Sequence, residues 1–281
     1  MNADMNLTMD NPIRKLTRDL RLAAATLSDN EARYLVDSYY QIQEWRKAAN
    51  NQGLSLVKAG EPNAVIGWLA GNSEALEKEI KKALGAYSQS KLTGQWAESI
   101  FGIGPVISAG LIAHINIEKA PHAGHIWNFA GLNPTKVWEK GKKRPWNASL
   151  KTLTWKIGQS FLKFSNHDDC YYGHLLRKRW EWEKEQNAQK KFEPQAVAKL
   201  ARFNIGKTTD AYAAYSQGLL PPAHILQRAC RWTTKLFLSH WHHVAYEIHF
   251  GKSPAGPWVL EPKFSTGHTD YIKPPNWPME K

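Results

Sequence analysis

Two glycines flank one isoleucine directly ahead of a proline, at Gly102-Ile103-Gly104-Pro105. The stretch before it, ending Glu98-Ser99-Ile100-Phe101, reads as a helix end. Val106 to Ile115 reads as an apolar helix rich in small residues. Glycine permits a sharp backbone turn and close approach of a second backbone. Proline suits a first helical position, where its missing N–H is one the helix could not have paired. The chain must therefore bring two helices to a tight corner, with Ile103 turned inward.

The order apolar, x, Gly, apolar, Gly, then a small-residue helix is that of a helix-hairpin-helix. Its amides, here those of Gly102, Ile103, Gly104 and Val106, face a phosphate with the help of the helix dipole. Such a grip holds the sugar–phosphate backbone and reads no sequence. The alternative is an ordinary helix–helix turn with glycines at a crowded crossing. DNA glycosylases, which share this hairpin, place an aspartate soon after the second helix. Here Glu118 follows and no aspartate does.

Upstream, apolar residues recur at helical spacing. Pro12 to Thr26 places Ile13, Leu16, Leu20, Ala23, Ala24 and Leu27 on one face. Ser28-Asp29-Asn30-Glu31 fits a capping box. The helix it opens carries Ala32, Leu35, Val36, Tyr39, Ile42 and Trp45 on one side and is expected to end near Asn50–Gly53. A third helix is expected from Pro62. A fourth, opened by Asn72 or Ser73, carries Leu76, Ile80, Ala83, Leu84 and Tyr87. Amphipathic helices on short polar turns imply a helical hairpin array or an antiparallel coiled coil. The expected fold is mainly α. A helical N-terminal segment, 1–92, leads to a helix-hairpin-helix core, 93–165. A C-terminal helical region, 166–252, and an irregular Pro/Trp tail, 253–281, follow. Residues 1–10 are expected to be disordered.

The chain of 281 residues carries a net charge of +12, which points to a polyanionic partner. The charge is uneven. Residues 1–95 hold 12 Lys and Arg against 11 Asp and Glu; residues 136–191 hold 14 against 6. The basic segment also carries Trp138, Trp146, Trp155, Trp180 and Trp182, out of 13 tryptophans. Cations meet phosphates and rings stack on bases. The candidate contacts are Lys136, Lys140, Lys142, Lys143, Arg144, Lys151 and Lys156, with Trp138 and Trp146 as stacking surfaces. The expected partner is nucleic acid, DNA first, with a guide or structured RNA as a further option. Homo-oligomerisation through the N-terminal helices is the other partner expectation, and no membrane is expected.

Other chemistries find less support. Cys170 and Cys230 cannot make a disulfide framework or a cysteine-only zinc site. No apolar run of membrane-spanning length and no signal peptide is seen, so the expected location is cytoplasmic, in a bacterial nucleoid or phage-infected cell. His240, His242, His243 and His249 have helical spacing, with His268, Glu247 and Asp270 as unforced partners; packing or groove lining is the simpler reading than zinc. Protonated, they would add to the positive field below about pH 6.5. Asp168 and Asp169 are adjacent and would diverge on a helix, so they suit a turn or cap. Gly206-Lys207-Thr208-Thr209 ends like a P-loop, but position 201 is Ala where the motif needs Gly. No metal or cofactor is expected from these patterns.

The hairpin is followed by Phe129-Ala130-Gly131-Leu132-Asn133-Pro134, by the basic Gly141-Lys142-Lys143-Arg144, and by Ser149 at a helix start. This order resembles the C-terminal domain of the DEDD-type insertion-sequence transposases (the insertion-sequence 110, 116 and 902 family), over roughly 73–165. The resemblance implies a domain that binds DNA and a guiding RNA, in a protein of mobile-element or phage type. It also implies a serine, matched by Ser149, that works with a RuvC-like domain whose four acidic residues bind magnesium. In the family that domain precedes the helical segment, whereas residues 1–60 show only helical patterns. Ser149 is followed by Leu-Lys-Thr where the family has a Lys-Arg-Gly-Asn type stretch. Ser149 is thus read either as a helix N-cap, the simpler role, or as a nucleophile, which requires a base or metal from elsewhere. A backbone-gripping, non-autonomous protein is the preferred expectation. A serine strand transferase with a partner acidic domain and a nucleoprotein scaffold are the alternatives.

Overall fold

The computed structural model describes residues 15–256 and 271–279. Among them the chain forms eleven α-helices, one 3-10 turn at Ile117–Lys119 and no strand. No helix among them is long and apolar enough to cross a membrane. The expected disorder of residues 1–10, the start of the first helix at Pro12 and Ile13, and the tail's His268 and Asp270 lie outside the described residues. The helices pack as two compact units. Of the described residues, one takes those up to Gln95 with Pro105–His114; the other takes Trp96–Gly104 with those from Ile115 onward. The expected segment 93–165 coincides with neither, because the helix after the glycine corner packs with the N-terminal helices.

In the first unit, α1 (Arg18–Ala24), α2 (Asp29–Lys58), α3 (Ala64–Gln89) and α5 (Pro105–His114) pack together. The Ser28 capping box forms: its side chain accepts from the Glu31 N–H while Glu31 accepts from the Ser28 N–H. Ala32, Val36, Leu84, Tyr87, Val106, Ala109 and Ala113 form the core. Burying each larger aliphatic contributes roughly 1.5–3 kcal/mol. Small residues on α5 let the helices come close, and the buried Ser88 and Ser108 hydroxyls bond at 2.7 Å.

Two boundaries differ from expectation. α2 runs through Gly53 to Lys58, where packing outweighs the helix cost of one glycine. α3 is one helix, capped by Asn63, and does not restart at Asn72 or Ser73. There the side chains bond backward inside the helix, Asn72 to the Trp68 carbonyl and Ser73 to the Leu69 carbonyl. Trp45, expected on the buried face, is 57% exposed.

In the second unit, α11 (Pro222–Phe250) is the central rod. α6 (Ala123–Phe129), α7 (Ala148–Lys163) and α8 (Tyr171–Ala188) lie against it. Phe161, Tyr172 and Phe237 meet ring to ring, with Trp96 stacked on Phe237 at 6.0 Å. α9 (Glu193–Arg202) and α10 (Asp210–Ser216) close a smaller cluster over Phe192, Tyr215 and Ile225. The buried Glu183 carboxylate is held by Arg179 at 2.8 Å and Arg228 at 2.7 Å.

Residues 271–279 have no regular structure and are bonded to the helices. The Trp96 indole donates to the Pro275 carbonyl at 2.9 Å, and the Trp277 indole donates to Glu247 at 2.6 Å.

Candidate nucleic-acid interface

α4 (Leu92–Ser99) leads into the corner. The Ile103 N–H donates to the Ile100 carbonyl at 2.9 Å, and Ile103 is buried, as expected. Gly102 has φ +96°, a conformation a side chain would strain, and Phe161 lies 3.4 Å from where its Cβ would stand. Its carbonyl accepts from the Ser160 hydroxyl of α7 at 2.5 Å. Gly104 is different: nothing lies within 4 Å of its Cβ position. Neither the Gly102 nor the Gly104 amide bonds to another backbone group among the described residues. Val106, in the other unit, is a buried side chain at the start of α5. Its amide belongs to the first helical turn, which has no intrahelical acceptor.

The Phe129–Pro134 motif has a local explanation. Gly131, at φ +66°, ends α6 in the left-handed conformation, and the Leu132 N–H bonds back to the Trp127 carbonyl at 2.8 Å. Trp146 lies on Gly131 so closely that a Cβ there would be 2.8 Å from the ring. Asn133 accepts from the Thr135 amide and hydroxyl, an Asx turn that launches the basic loop. The Asn147 N–H donates to the Phe129 carbonyl at 2.9 Å and closes that loop at its base.

Residues 134–145 are all exposed. Lys136, Lys140 and Lys143 carry no ion pair among the described residues, whereas Lys142 meets Glu139 at 2.7 Å. Exposed pairs of that kind contribute little. Arg144 lies over the Trp138 ring at 5.1 Å, and the Trp138 indole donates to the Lys142 carbonyl at 2.7 Å. Lys151 sits over Trp146 at 4.0 Å. The two tryptophans expected to stack on bases thus already hold cations, an arrangement that fixes the direction of flexible side chains. Lys156 is half-buried further along α7. The structure brings the loop, Trp138, Trp146 and Lys151 together at the N-terminal end of α7. The Gly102 carbonyl is held at Ser160, nine residues along that helix from Lys151, about 14 Å at 1.5 Å per residue.

Ser149 is not the cap of α7. That role belongs to Asn147, whose side chain accepts from the Leu150 N–H at 2.8 Å. Two helical residues separate Asn147 from the Leu150 amide, which is the reach a capping side chain has. Ser149 sits in the first turn, half-buried, and its hydroxyl has no hydrogen bond among the described residues. Trp155, one of the tryptophans of the basic segment but not one of the two stacking candidates, is 56% exposed and one turn along α7 from Lys151. Their i, i+4 spacing was the available signal.

The histidines act as internal links. His240 is buried; it accepts the Tyr172 hydroxyl at 2.6 Å and donates to the Ile272 carbonyl at 2.8 Å. Burial lowers its pKa to about 4. His242 bonds the Ala120 carbonyl at 2.7 Å, and burial lowers its pKa as well. Burial disfavours the charged form of both, against the expectation that they add to the positive field. Asp168 and Asp169 lie in the turn before α8. Among the described residues no group of three or more His, Cys, Asp or Glu is placed to hold a metal.

Residues 94–157 match the model of the transposase IS116/IS110/IS902 family, less than a quarter of the chain. The matched stretch runs from within α4 through the corner, α5, α6 and the basic loop into α7, shorter than the 73–165 read from the motifs. No curated protein and no solved structure matches the chain.

Proposed function

We propose that this protein binds nucleic acid, DNA first, as part of the machinery of a mobile element, and that it holds the sugar–phosphate backbone without reading bases. The observation that carries this is the loop at 134–145. Its residues are all exposed, it is rich in unpaired cations, and it lies inside the stretch similar to the transposase family. Cations that release counterions from phosphate supply most of such affinity. The Gly104 amide, which bonds to no other backbone group among the described residues, is a further backbone contact in this reading. Binding to duplex DNA, single-stranded DNA and structured RNA tests it. With Lys142, Lys143 and Arg144 all changed to Ala, affinity for the preferred ligand falls at least tenfold; unchanged binding would refute the interface.

One observation favours a second reading, strand transfer through Ser149. Asn147 does the capping, so the Ser149 hydroxyl is left without a structural role. A serine needs a base or metal to become a nucleophile, and in this reading a partner chain supplies the acidic metal site. Cleaved or joined DNA strands that vanish in Ser149→Ala would support it, and activity intact in that variant would end it.

A further inference from the structure

A second group of cations lies outside the loop and outside the stretch that matches the transposase family. Arg228, Arg231 and Lys235 follow one another on α11 at helical spacing and share a face. Arg228 is committed: it bonds Glu183 at 2.7 Å and Gln195 at 2.8 Å. Arg231 and Lys235 have no carboxylate partner among the described residues. Lys235 is half-buried and lies over the Trp127 ring at 5.1 Å; the Trp127 indole donates to the Lys235 carbonyl at 3.1 Å.

Across from them stands α7. The two helices touch where Gly158 meets Cys230 and Thr234, which brings Lys151 toward Arg231. The charges act on one another. Burial first, then Arg144 and Arg231, lower the Lys151 pKa. Burial and then Arg231 lower that of Lys235. Arg231 is lowered by the crowding around its guanidinium and then by Arg228. Glu183, the acid it senses, already serves Arg179 and Arg228.

Lys235 is half-buried, while Arg144, Lys151 and Arg231 are exposed; cations of one sign held on one stretch of surface concentrate a positive field that draws an anion. None of the four has a carboxylate partner among the described residues. The rings of Trp127, Trp138 and Trp146 hold three of them in place. We propose that Arg144, Lys151, Arg231 and Lys235 form a cradle for phosphate groups, a further backbone contact of the nucleic-acid interface, carried across from α7 to α11. This rests on the nucleic-acid reading above, and the ligand chemistry is the phosphodiester or a free polyphosphate.

The test uses the full chain and the double variant Arg231→Gln with Lys235→Gln. Glutamine keeps the stems and removes the charges; Lys58→Gln, an exposed residue at the end of α2, is the control. On duplex DNA, the slope of log affinity against log salt should shrink by about 2, since each lost phosphate contact removes about 0.9. Affinity should fall tenfold or more, with the melting temperature within a few degrees of the parent. A double variant that keeps the parent slope while the Lys142, Lys143 and Arg144 variant loses binding would overturn the cradle alone. A fall of many degrees in melting temperature would mark the pair as structural and also overturn it. If the parent binds no nucleic acid, inorganic pyrophosphate decides: binding lost in the double variant keeps the cradle as a free-phosphate site, and no binding removes it.

Discussion

Gly158 of α7 faces Thr234 of α11 so closely that a Cβ on the glycine would stand 3.0 Å from the Thr234 hydroxyl and 3.4 Å from the Cys230 Cβ. Both partners are buried. This contact sets the distance between the helix that carries Lys151 and the one that carries Arg231. Gly158→Val should therefore destabilise the protein by about 1–3 kcal/mol through overpacking. It should also weaken nucleic-acid binding by separating the cations. Chemical denaturation with a parallel binding assay checks both; full stability in the variant would mean the helices have room to spare.

The two corner glycines should respond differently. Gly102 needs its φ of +96°, so Gly102→Ala should cost about 1–2 kcal/mol. Gly104 has open space and no such backbone demand, so Gly104→Ala should leave stability within about 0.5 kcal/mol. If the Gly104 amide meets a phosphate, that methyl should still reduce affinity. Denaturation midpoints for the pair separate a packing role from a binding one.

At the start of α7 the roles of Asn147 and Ser149 can be separated by two single changes. Asn147→Ala should lose about 1 kcal/mol, the usual worth of a cap. Ser149→Ala should lose almost nothing. The reverse order in thermal melts would return the cap to Ser149.

Stability should fall as acid is added below neutral pH. The unfolded His240 imidazole titrates near 6.5, while in the folded protein its pKa is about 4. The neutral ring is the one that fits, so its contribution is complete above about pH 6.5. That contribution is lost as pH falls toward 4, up to about 3 kcal/mol at 1.36 kcal/mol per unit. His224, also lowered to about 4 by burial and then by Arg231, Lys199 and Arg228, acts in the same sense. Melting curves between pH 7 and 4 should show the fall, with a flatter profile in His240→Gln. An identical profile in that variant would show that His240 does not titrate in this range.

Much of this architecture is legible in the residues, because local rules decide it. The Ser28–Glu31 box, the inward Ile103 and the helical periods of α2, α3 and α7 depend on near neighbours alone. The boundaries went astray where a side chain had two local options. Asn72 and Ser73 can cap a helix or bond backward inside one, and only packing decides. For the site, the basic loop and its tryptophans were visible as a charge-dense segment. Arg231 and Lys235 were not, because they join Lys151 only through the contact of α7 with α11, across about 80 residues of chain. The histidine spacing left packing or groove lining as the simpler reading than zinc, and His240 and His242 are packed and bonded inside, so the charge expected of them is disfavoured by burial.

The measurement that bears most directly on the central claim is the salt dependence of binding to a duplex, for the parent and for a variant with Lys136, Lys140 and Lys143 changed to Gln. These three lysines are exposed and unpaired among the described residues, so their loss should leave the fold alone. A backbone binder should show log affinity falling linearly with log salt, and the variant's slope should be smaller by about 3, near 0.9 per phosphate contact. A parent whose binding ignores salt, or a variant with the parent's slope, would contradict the account.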